Sequence, residues 1–378
     1  MSDRKLRPAS IRRAANRVAT NARKRLFEAE SLVQAGKTPY ELIYQGEIAQ
    51  LRYYPPLSET SITVGDSEVK VETSSHRIPL VLVAPLAVNM YIYDLFPERS
   101  LVHYFRAKGF ELYLVDWGTP RRSHNHFRLS TYFSEKLPEI LQQVRDHSGQ
   151  QQLSLHGWSL GGLFNVCYTA LGDPDIVNLA LVGSPCDYHA NGPLGKRYQR
   201  FEKQLSWLKR TTGWQIHKTP KRFWRSPGWM NSLTFKMTNP IGSIQGYWDL
   251  VKNLHDEDYV VAHATNGAFL DGMLAYPGGV SQDLIQYLVA SNALANGKLP
   301  MQNSNGSINN IESNILLVCG ASDPIVTREN SLALLDLVKS KDKTVMDVAG
   351  GHMGVLSGSK APEEIWPRVA NWLATRSD

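Results

Sequence analysis

Six short apolar runs of β-forming residues recur along the chain, and segments of helical character separate them. The runs span residues 79–85, 111–117, 152–157, 178–184, 314–320 and 343–349. Because successive positions in each run are apolar, both faces of these strands must be buried, as in a parallel sheet covered by helices. Segments such as 100–108, 131–147 and 160–171 have the spacing of helices. The sequence therefore predicts an α/β fold with a mostly parallel sheet flanked by helices.

A G-x-S-x-G pattern lies between the third run and the helix predicted to follow it. In LSLHGWSLGG, residues 153–162, it consists of Gly157, Ser159 and Gly161. A sharp strand-to-helix turn needs small residues on both sides of the serine, because neighbouring backbone passes close by. Such a turn points Ser159 away from the sheet at a helix N-terminus, where the amide of Leu160 can stabilise an oxyanion. We interpret Ser159 as a nucleophile; the alternative is a turn with no chemical role.

A serine nucleophile needs a histidine base and a carboxylate that orients it. Asp323 follows the fifth run in GASDPIV, and His352 follows the sixth in GGHMG, giving the chain order Ser, Asp, His. Two structural alternatives remain: His352 as an ordinary loop histidine, and Asp323 as the cap of a helix that starts near Thr327. Asp187, after the fourth run, is the reserve carboxylate.

A second oxyanion donor is expected from the loop after residues 79–85. The backbone amides around Ala87 and Val88 are the candidates. No metal ion or organic cofactor is required by this chemistry.

The strand–helix alternation stops between about residues 187 and 300. This region contains five of the nine tryptophans and a strip rich in lysine and arginine, residues 196–225. An insertion of this length is most simply a largely helical cap over the ends of the strands, and its tryptophans either form the core of the cap or line an acyl-binding channel. We therefore predict a helical segment at 1–37, a core at 38–186 and 301–378, and a cap at 187–300.

The positive charge is concentrated at the N-terminus. The whole chain of 378 residues has a formal charge of +6, whereas residues 1–25 alone sum to +8 and the remainder to −2. A basic body that wraps nucleic acid is thereby excluded. Residues 1–27 are predicted to form a basic amphipathic helix, which either packs on its own domain or adsorbs to an anionic membrane, a polymer granule or a partner.

The cysteines and the longest apolar stretch bear on location. Cys167, Cys186 and Cys319 are odd in number and form no C-x-x-C pair, so neither a disulfide framework nor a zinc site is indicated. The apolar stretch 78–96 is interrupted by prolines and polar residues, which favours a strand and a loop over a membrane span. We expect a cytoplasmic protein that associates with a granule or membrane if the N-terminal helix adsorbs to one.

At these residues the chain resembles the polyhydroxyalkanoate synthases, the PhaC-type branch of the α/β-hydrolases, and most closely their short class III form. The matching stretches are residues 38–56, 85–105, 110–120, 153–162, 178–189, 320–326, 350–358 and 366–373. The resemblance implies an α/β-hydrolase fold with Ser159 as nucleophile, Asp323 as acid, His352 as base and the amides of Leu160 and Val88 as the oxyanion hole. It also implies a departure, because the synthases have cysteine where this chain has Ser159.

That departure affects the expected reaction. A thiolate exchanges acyl groups readily, whereas a serine ester more often ends in hydrolysis. We expect a serine acyl-hydrolase or acyltransferase that acts on hydroxyacyl esters or acyl-CoA-type thioesters through an acyl-enzyme. The alternatives are a synthase that polymerises 3-hydroxyacyl-CoA and a non-catalytic protein that binds granules or membranes. By resemblance to class III synthases, a partner subunit or a homodimer is also expected.

Overall fold

The computed structural model describes residues 8–237 and 240–378. Residues 1–7 of the predicted basic segment lie outside the described residues. The strands are β1 Glu41–Gln45, β2 Gln50–Tyr54, β3 Ser61–Val64, β4 Ser67–Lys70, β5 Leu80–Val83, β6 Asp94–Phe96, β7 Arg99–Ser100, β8 Leu112–Asp116, β9 Leu153–Trp158, β10 Ile176–Val182, β11 Asn314–Gly320 and β12 Lys343–Val348. The helices are α1 Pro8–Phe27, α2 Leu101–Ala107, α3 Leu137–Ser148, α4 Leu160–Thr169, α5 Gly192–Thr212, α6 Gly228–Lys236, α7 Pro240–Lys252, α8 Glu257–Asp271, α9 Gly278–Asp283, α10 Arg328–Leu337, α11 Gly354–Ser357, α12 Ala361–Glu364 and α13 Trp366–Ala374.

Eight strands form the central sheet in the order β1-β2-β8-β5-β9-β10-β11-β12. The six strands from β8 to β12 in that order are parallel, and each coincides with one of the six apolar runs. β1 and β2 add an antiparallel edge. Every residue of β5, β8 and β9 is buried, in agreement with strands that are covered on both faces. The predicted α/β fold with its mostly parallel sheet is confirmed.

The strand order determines where the polar loops meet. β9, β10, β11 and β12 are neighbours, and their carboxyl ends lie at one edge of the sheet. Adjacent strands are about 4.8 Å apart, so the loops after β11 and β12 must extend back over the end of β10 to reach the turn after β9. A site built from these three loops therefore lies above β10.

The chain between β10 and β11 is largely helical. It contains α5 to α9. Among its described residues, β-type backbone pairing is limited to one isolated bridge between Ser226 and Tyr276. The exposed side chains of Trp207, Trp229 and Trp248 do not form the core of this region, so that interpretation of the tryptophans is wrong for these three. The division into a core and a cap at 187–300 stays a prediction.

A buried carboxylate attaches this helical region to the rest of the protein. Asp283, at the end of α9, accepts hydrogen bonds from the Arg128 guanidinium at 2.8 Å and from the backbone amide of Leu129 at 3.0 Å. His217 Nε2 lies 2.9 Å from the same carboxylate. Because the side chain of Asp283 is almost fully buried, these partners are what make its charge tolerable there.

Of the helices in residues 8–237 and 240–378, none combines the length and the apolar character that a bilayer crossing requires.

Candidate active site

Ser159 occupies a strained turn between β9 and α4. Its backbone angles are φ 54° and ψ −125°, a region that residues with a side chain rarely adopt. The turn is held from both sides: the amide of Ser159 donates to the carbonyl of Val182 at 2.9 Å, and its carbonyl accepts from the amide of Leu163 at 3.2 Å. The side chain is therefore presented at the carboxyl edge of the sheet.

Two glycines leave room for this turn. A Cβ on Gly161 would collide with the carbonyl oxygen of Val83 at the end of β5, and a Cβ on Gly157 would collide with the backbone of Gly162. The G-x-S-x-G spacing thus has the steric cause that the sequence predicted, because α4 starts against the ends of two buried strands.

A continuous chain of hydrogen bonds joins Ser159, His352 and Asp323. Ser159 Oγ lies 2.9 Å from His352 Nε2, and His352 Nδ1 lies 2.7 Å from Asp323 Oδ2. The side chains of His352 and Asp323 are buried, so water competes little for either contact. The structure brings together the three residues that the sequence selected from three separate loops.

The carboxylate of Asp323 is oriented by its own loop. Its Oδ1 accepts from the amides of Ile325 at 2.8 Å and Val326 at 2.9 Å, which leaves Oδ2 for the histidine. Because a carboxylate accepts, His352 carries its proton on Nδ1, and Nε2 is left with a lone pair that faces the hydroxyl of Ser159. Thr327, and not Asp323, caps the N-terminus of α10: its side-chain hydroxyl accepts a hydrogen bond from the backbone amide of Asn330. The helix-cap alternative for Asp323 is therefore wrong.

Two backbone amides are the candidate oxyanion donors. Leu160 is the first residue of α4, and Val88 follows Ala87, a buried residue with φ 65°. Within the described residues, neither the amide of Leu160 nor that of Val88 donates a hydrogen bond. Both N–H groups thus remain available to a ligand.

The loop that carries Val88 is fixed from the helical region above it. The carbonyl of Ala87 accepts from the amide of Leu274 at 2.9 Å, and Asn89 Nδ2 donates to the carbonyl of Gly272 at 3.2 Å. The turn at Ala87 is therefore held by partners outside the sheet.

The family model described as alpha/beta hydrolase fold matches residues 92–359, which is more than half of the chain. The chain belongs to the α/β hydrolase fold family.

Curated relatives of this α/β hydrolase carry a more specific name. The present chain is 28% identical to the poly(3-hydroxyalkanoate) polymerase subunit PhaC of Haloferax mediterranei, over 95% of this chain and 68% of that protein. It is 26% identical to the protein of the same name from Synechocystis sp., over 92% of this chain and 87% of the relative. The resemblance to the polyhydroxyalkanoate synthases is confirmed.

A solved structure shares the fold. A soluble variant of the monoglyceride lipase of Saccharomyces cerevisiae, in complex with a substrate analog, aligns with a TM-score of 0.52 at 14% identity, over 91% of this chain and 96% of the lipase. The relatives and the fold together support an enzyme that hydrolyses or transfers acyl groups.

Two residues of the site escaped the sequence analysis. Trp158 Nε1 donates to the carbonyl of His352 at 2.9 Å, and the indole packs 5.3 Å from the imidazole, so it fixes the loop that carries the base. Gly183 follows β10 and lies against the His–Asp pair: a Cβ there would be 3.4 Å from His352 Nδ1 and 3.5 Å from Asp323 Oδ2, which are ordinary contact distances. Its φ of 51° is what favours glycine at this position. The signal available for Gly183 was a glycine near the end of the otherwise apolar fourth run.

The reserve carboxylate has a different partner set. Asp187 Oδ1 accepts from the amides of His189 and Ala190 at 2.8 and 2.9 Å, and from Asn292 Nδ2 at 2.8 Å. These contacts stabilise the turn that follows β10. It is therefore Asp323, and not Asp187, that forms the hydrogen bond with His352 in the structure.

The three cysteines offer no competing nucleophile. All are free and buried in this α/β hydrolase. Burial raises the pKa of the Cys186 thiol to about 12 and that of Cys319 to about 11, and it raises the pKa of Cys167 well above its usual value. Since the thiolate is the reactive form, these thiols are inert near neutral pH.

Among the described residues, no group of three or more histidine, cysteine or acidic side chains is arranged to hold a metal ion.

Proposed function

We propose that this α/β hydrolase cleaves or transfers acyl groups through a covalent acyl-enzyme on Ser159. The observation that carries the proposal is the pair of short contacts, 2.9 Å from Ser159 to His352 and 2.7 Å from His352 to Asp323. This arrangement supplies a nucleophile, a base in the productive tautomer and a buried carboxylate that favours the imidazolium once it forms.

The reaction proceeds in two halves. Ser159 Oγ attacks the carbonyl carbon while His352 Nε2 takes its proton, and the amides of Leu160 and Val88 stabilise the oxyanion. The intermediate then collapses, and the imidazolium protonates the departing alcohol or thiol. In the second half, water or a hydroxyl group gives its proton to His352 Nε2 and attacks the acyl carbon. The bond from that carbon to Ser159 Oγ then breaks, the imidazolium returns the proton to Oγ, and the acid or a new ester is released.

The proposed substrates are hydroxyacyl thioesters of the acyl-CoA type or hydroxyalkanoate oligoesters. The names of the curated relatives support this class. Serine at position 159, where we expect cysteine in the synthases, favours hydrolysis as the outcome, because an oxygen ester is a poorer acyl donor to a second hydroxyl than a thioester.

A fluorophosphonate probe tests the nucleophile. We expect stoichiometric labelling of the wild-type protein, none of Ser159→Ala and greatly slowed labelling of His352→Ala, because the probe needs an activated serine. Ser148→Ala, at the end of α3, is the matched control and retains labelling. Equal labelling of wild type and Ser159→Ala, or labelling of neither, contradicts the proposal.

The second candidate is a polymer synthase that uses serine, and the polymerase names of the relatives favour it. Supplying 3-hydroxybutyryl-CoA separates the two, since hydrolysis releases free hydroxy acid and polymerisation yields an insoluble polyester. We expect free acid. Polymer from the wild-type protein, absent with Ser159→Ala, would establish the synthase instead.

The domain limits and partners belong to the same proposal. We take residues 187–300 as a cap over the site, and residues 1–27 as a basic segment that adsorbs to an anionic surface. The exposed Arg13 and Arg17 on α1 support the second role. Deleting 1–27 is expected to lower partition to granules or anionic vesicles, and unchanged partition refutes this role. The relatives are named as subunits of a polymerase, which supports a partner subunit here; the mass of the assembly would reveal it.

A further inference from the structure

Helix α7 presents an apolar stripe to solvent. Its members recur at spacings of three and four residues and so share one face: Ile244 is 62% exposed, Tyr247 54%, Trp248 65% and Val251 62%. A neighbouring side of the helix packs on α8: Leu250 is buried in a small cluster with Val260, and the ring of Tyr247 lies 5.4 Å from that of His263. α7 is therefore seated by one face and leaves its more apolar face uncovered among the described residues.

Helix α6 and the residue after it also expose apolar side chains. Trp229 is 68% exposed, Leu233 51% and Met237 66%, again at a spacing of four residues. Both α6 and α7 pack against α8. We call these seven exposed side chains of α6, α7 and the residue after α6 the cap stripe: Trp229, Leu233, Met237, Ile244, Tyr247, Trp248 and Val251.

The basic helix α1 is attached beside the cap stripe. Asn21 Nδ2 donates to the carbonyl of Leu254 at 2.9 Å, two residues past the end of α7, and Lys24 Nζ lies 2.8 Å from Glu257 at the start of α8. Arg13 and Arg17 on the same helix are exposed, and among the described residues they form no ion pair. The exposed positive charge of Arg13 and Arg17 thus lies on a helix that contacts the connection between α7 and α8.

This combination selects one kind of occupant. Tryptophan and tyrosine favour the interface between lipid and water, aliphatic side chains insert below the headgroups, and arginine attracts anionic headgroups. A second copy docked by the same face would bring its own arginines toward these, and a neutral polyester offers them no counter-charge. We propose that the cap stripe, together with the exposed arginines of α1, docks this protein on an anionic phospholipid surface.

The docking face is also connected to the candidate site. α8 packs against both α6 and α7. At its C-terminal end, the carbonyls of Phe269 and of Gly272, the residue after the helix, accept hydrogen bonds from Asn89 Nδ2 at 3.3 and 3.2 Å. Asn89 follows Val88 in the candidate oxyanion loop. A docked protein would therefore hold this loop close to the phase in which long-chain acyl groups dissolve.

Vesicle sedimentation with the full chain tests the proposal. We expect binding to vesicles of phosphatidylglycerol and phosphatidylcholine in equal parts, and much less binding to pure phosphatidylcholine. The double variant Ile244→Glu and Val251→Glu is expected to lower the partition constant at least about tenfold, because two charges replace two inserted aliphatic side chains. Leu42→Glu, which places the same charge at an exposed leucine of β1, is the matched control and binds normally. Tryptophan emission should shift to shorter wavelength on binding, and the shift should shrink in Trp248→Phe.

Each other outcome overturns the proposal. Unchanged binding of the double variant, with loss on deletion of residues 1–27, would assign docking to the charged helix alone. A wild-type dimer that the two glutamates convert to a monomer, with no vesicle binding, would show that a second copy covers the stripe. Binding to neutral poly(3-hydroxybutyrate) particles as strong as to anionic vesicles would show that the stripe docks on polymer and not specifically on anionic lipid. The thermal unfolding midpoint of each variant reports folding, and vesicle binding is measured independently of the acyl chemistry.

Discussion

Replacing Asp323 by asparagine isolates the effect of the carboxylate on the tautomer of His352. The amide oxygen of asparagine can still accept from Ile325 and Val326, whose amides lie 2.8 and 2.9 Å from Oδ1, so the loop keeps its shape. The new NH₂ group then takes the place of Oδ2, which faces His352 Nδ1 at 2.7 Å. Two donors cannot face each other at that distance, so the imidazole moves its proton to Nε2.

In that tautomer the base no longer functions. Nε2 lies 2.9 Å from Ser159 Oγ, and once it carries a proton it cannot accept the one that the serine must lose. A serine triad that is locked in the wrong tautomer loses about 10⁴-fold in rate. This corresponds to about 5.5 kcal/mol of lost transition-state stabilisation.

The assay is the second-order rate of fluorophosphonate labelling, with hydrolysis of a soluble p-nitrophenyl ester as a second readout. Asp187→Asn is the matched control, because Asp187 supports a turn through His189, Ala190 and Asn292 and is expected to leave the rate near that of the wild type. The reasoning is refuted if Asp323→Asn keeps more than about a tenth of the rate. Loss of activity in Asp187→Asn alone would move the role to that residue.

Two further predictions concern the strand and turn that carry Ser159. Burial lowers the pKa of His156 from 6.5 to about 4, so the unfolded chain binds more protons below pH 6.5 and stability falls as the pH drops toward 4. The unfolding free energy should decrease by about 2 kcal/mol between pH 7 and pH 5, and denaturant titration of His156→Leu should show that decrease removed. Gly161→Ala forces a Cβ against the Val83 carbonyl and should slow fluorophosphonate labelling at least about 100-fold by displacing the turn. Gly246→Ala, where a Cβ meets open space, is the control and should label at the wild-type rate. Equal labelling rates of the two variants would contradict this prediction.

The sheet shows which strands a local sequence pattern can predict and which it cannot. Its six parallel strands were predictable because a strand buried on both faces must be apolar at successive positions. No strand was predicted for residues 41–54, which form β1 and β2. β1 is partly exposed and mixes polar with apolar residues, and its place is decided by pairing with β2, which in turn pairs with β8. Likewise, the helix predicted from residue 131 begins with a π-helical turn, Thr131–Lys136, before α3.

The sequence by itself determined the candidates for chemistry. A tight turn with glycines on both sides is a local requirement, so the pattern around Ser159 could be interpreted without a structure, and chain order selected Asp323 and His352. Only the tertiary structure decided that the three side chains meet and that Gly183 lies against His352 and Asp323. It also decided that Asp187 is occupied elsewhere and that three of the tryptophans face solvent. The reason is physical: loops from non-adjacent strands approach each other only as the order of the strands allows, and that order is set by how buried strands and helices pack across the whole sheet.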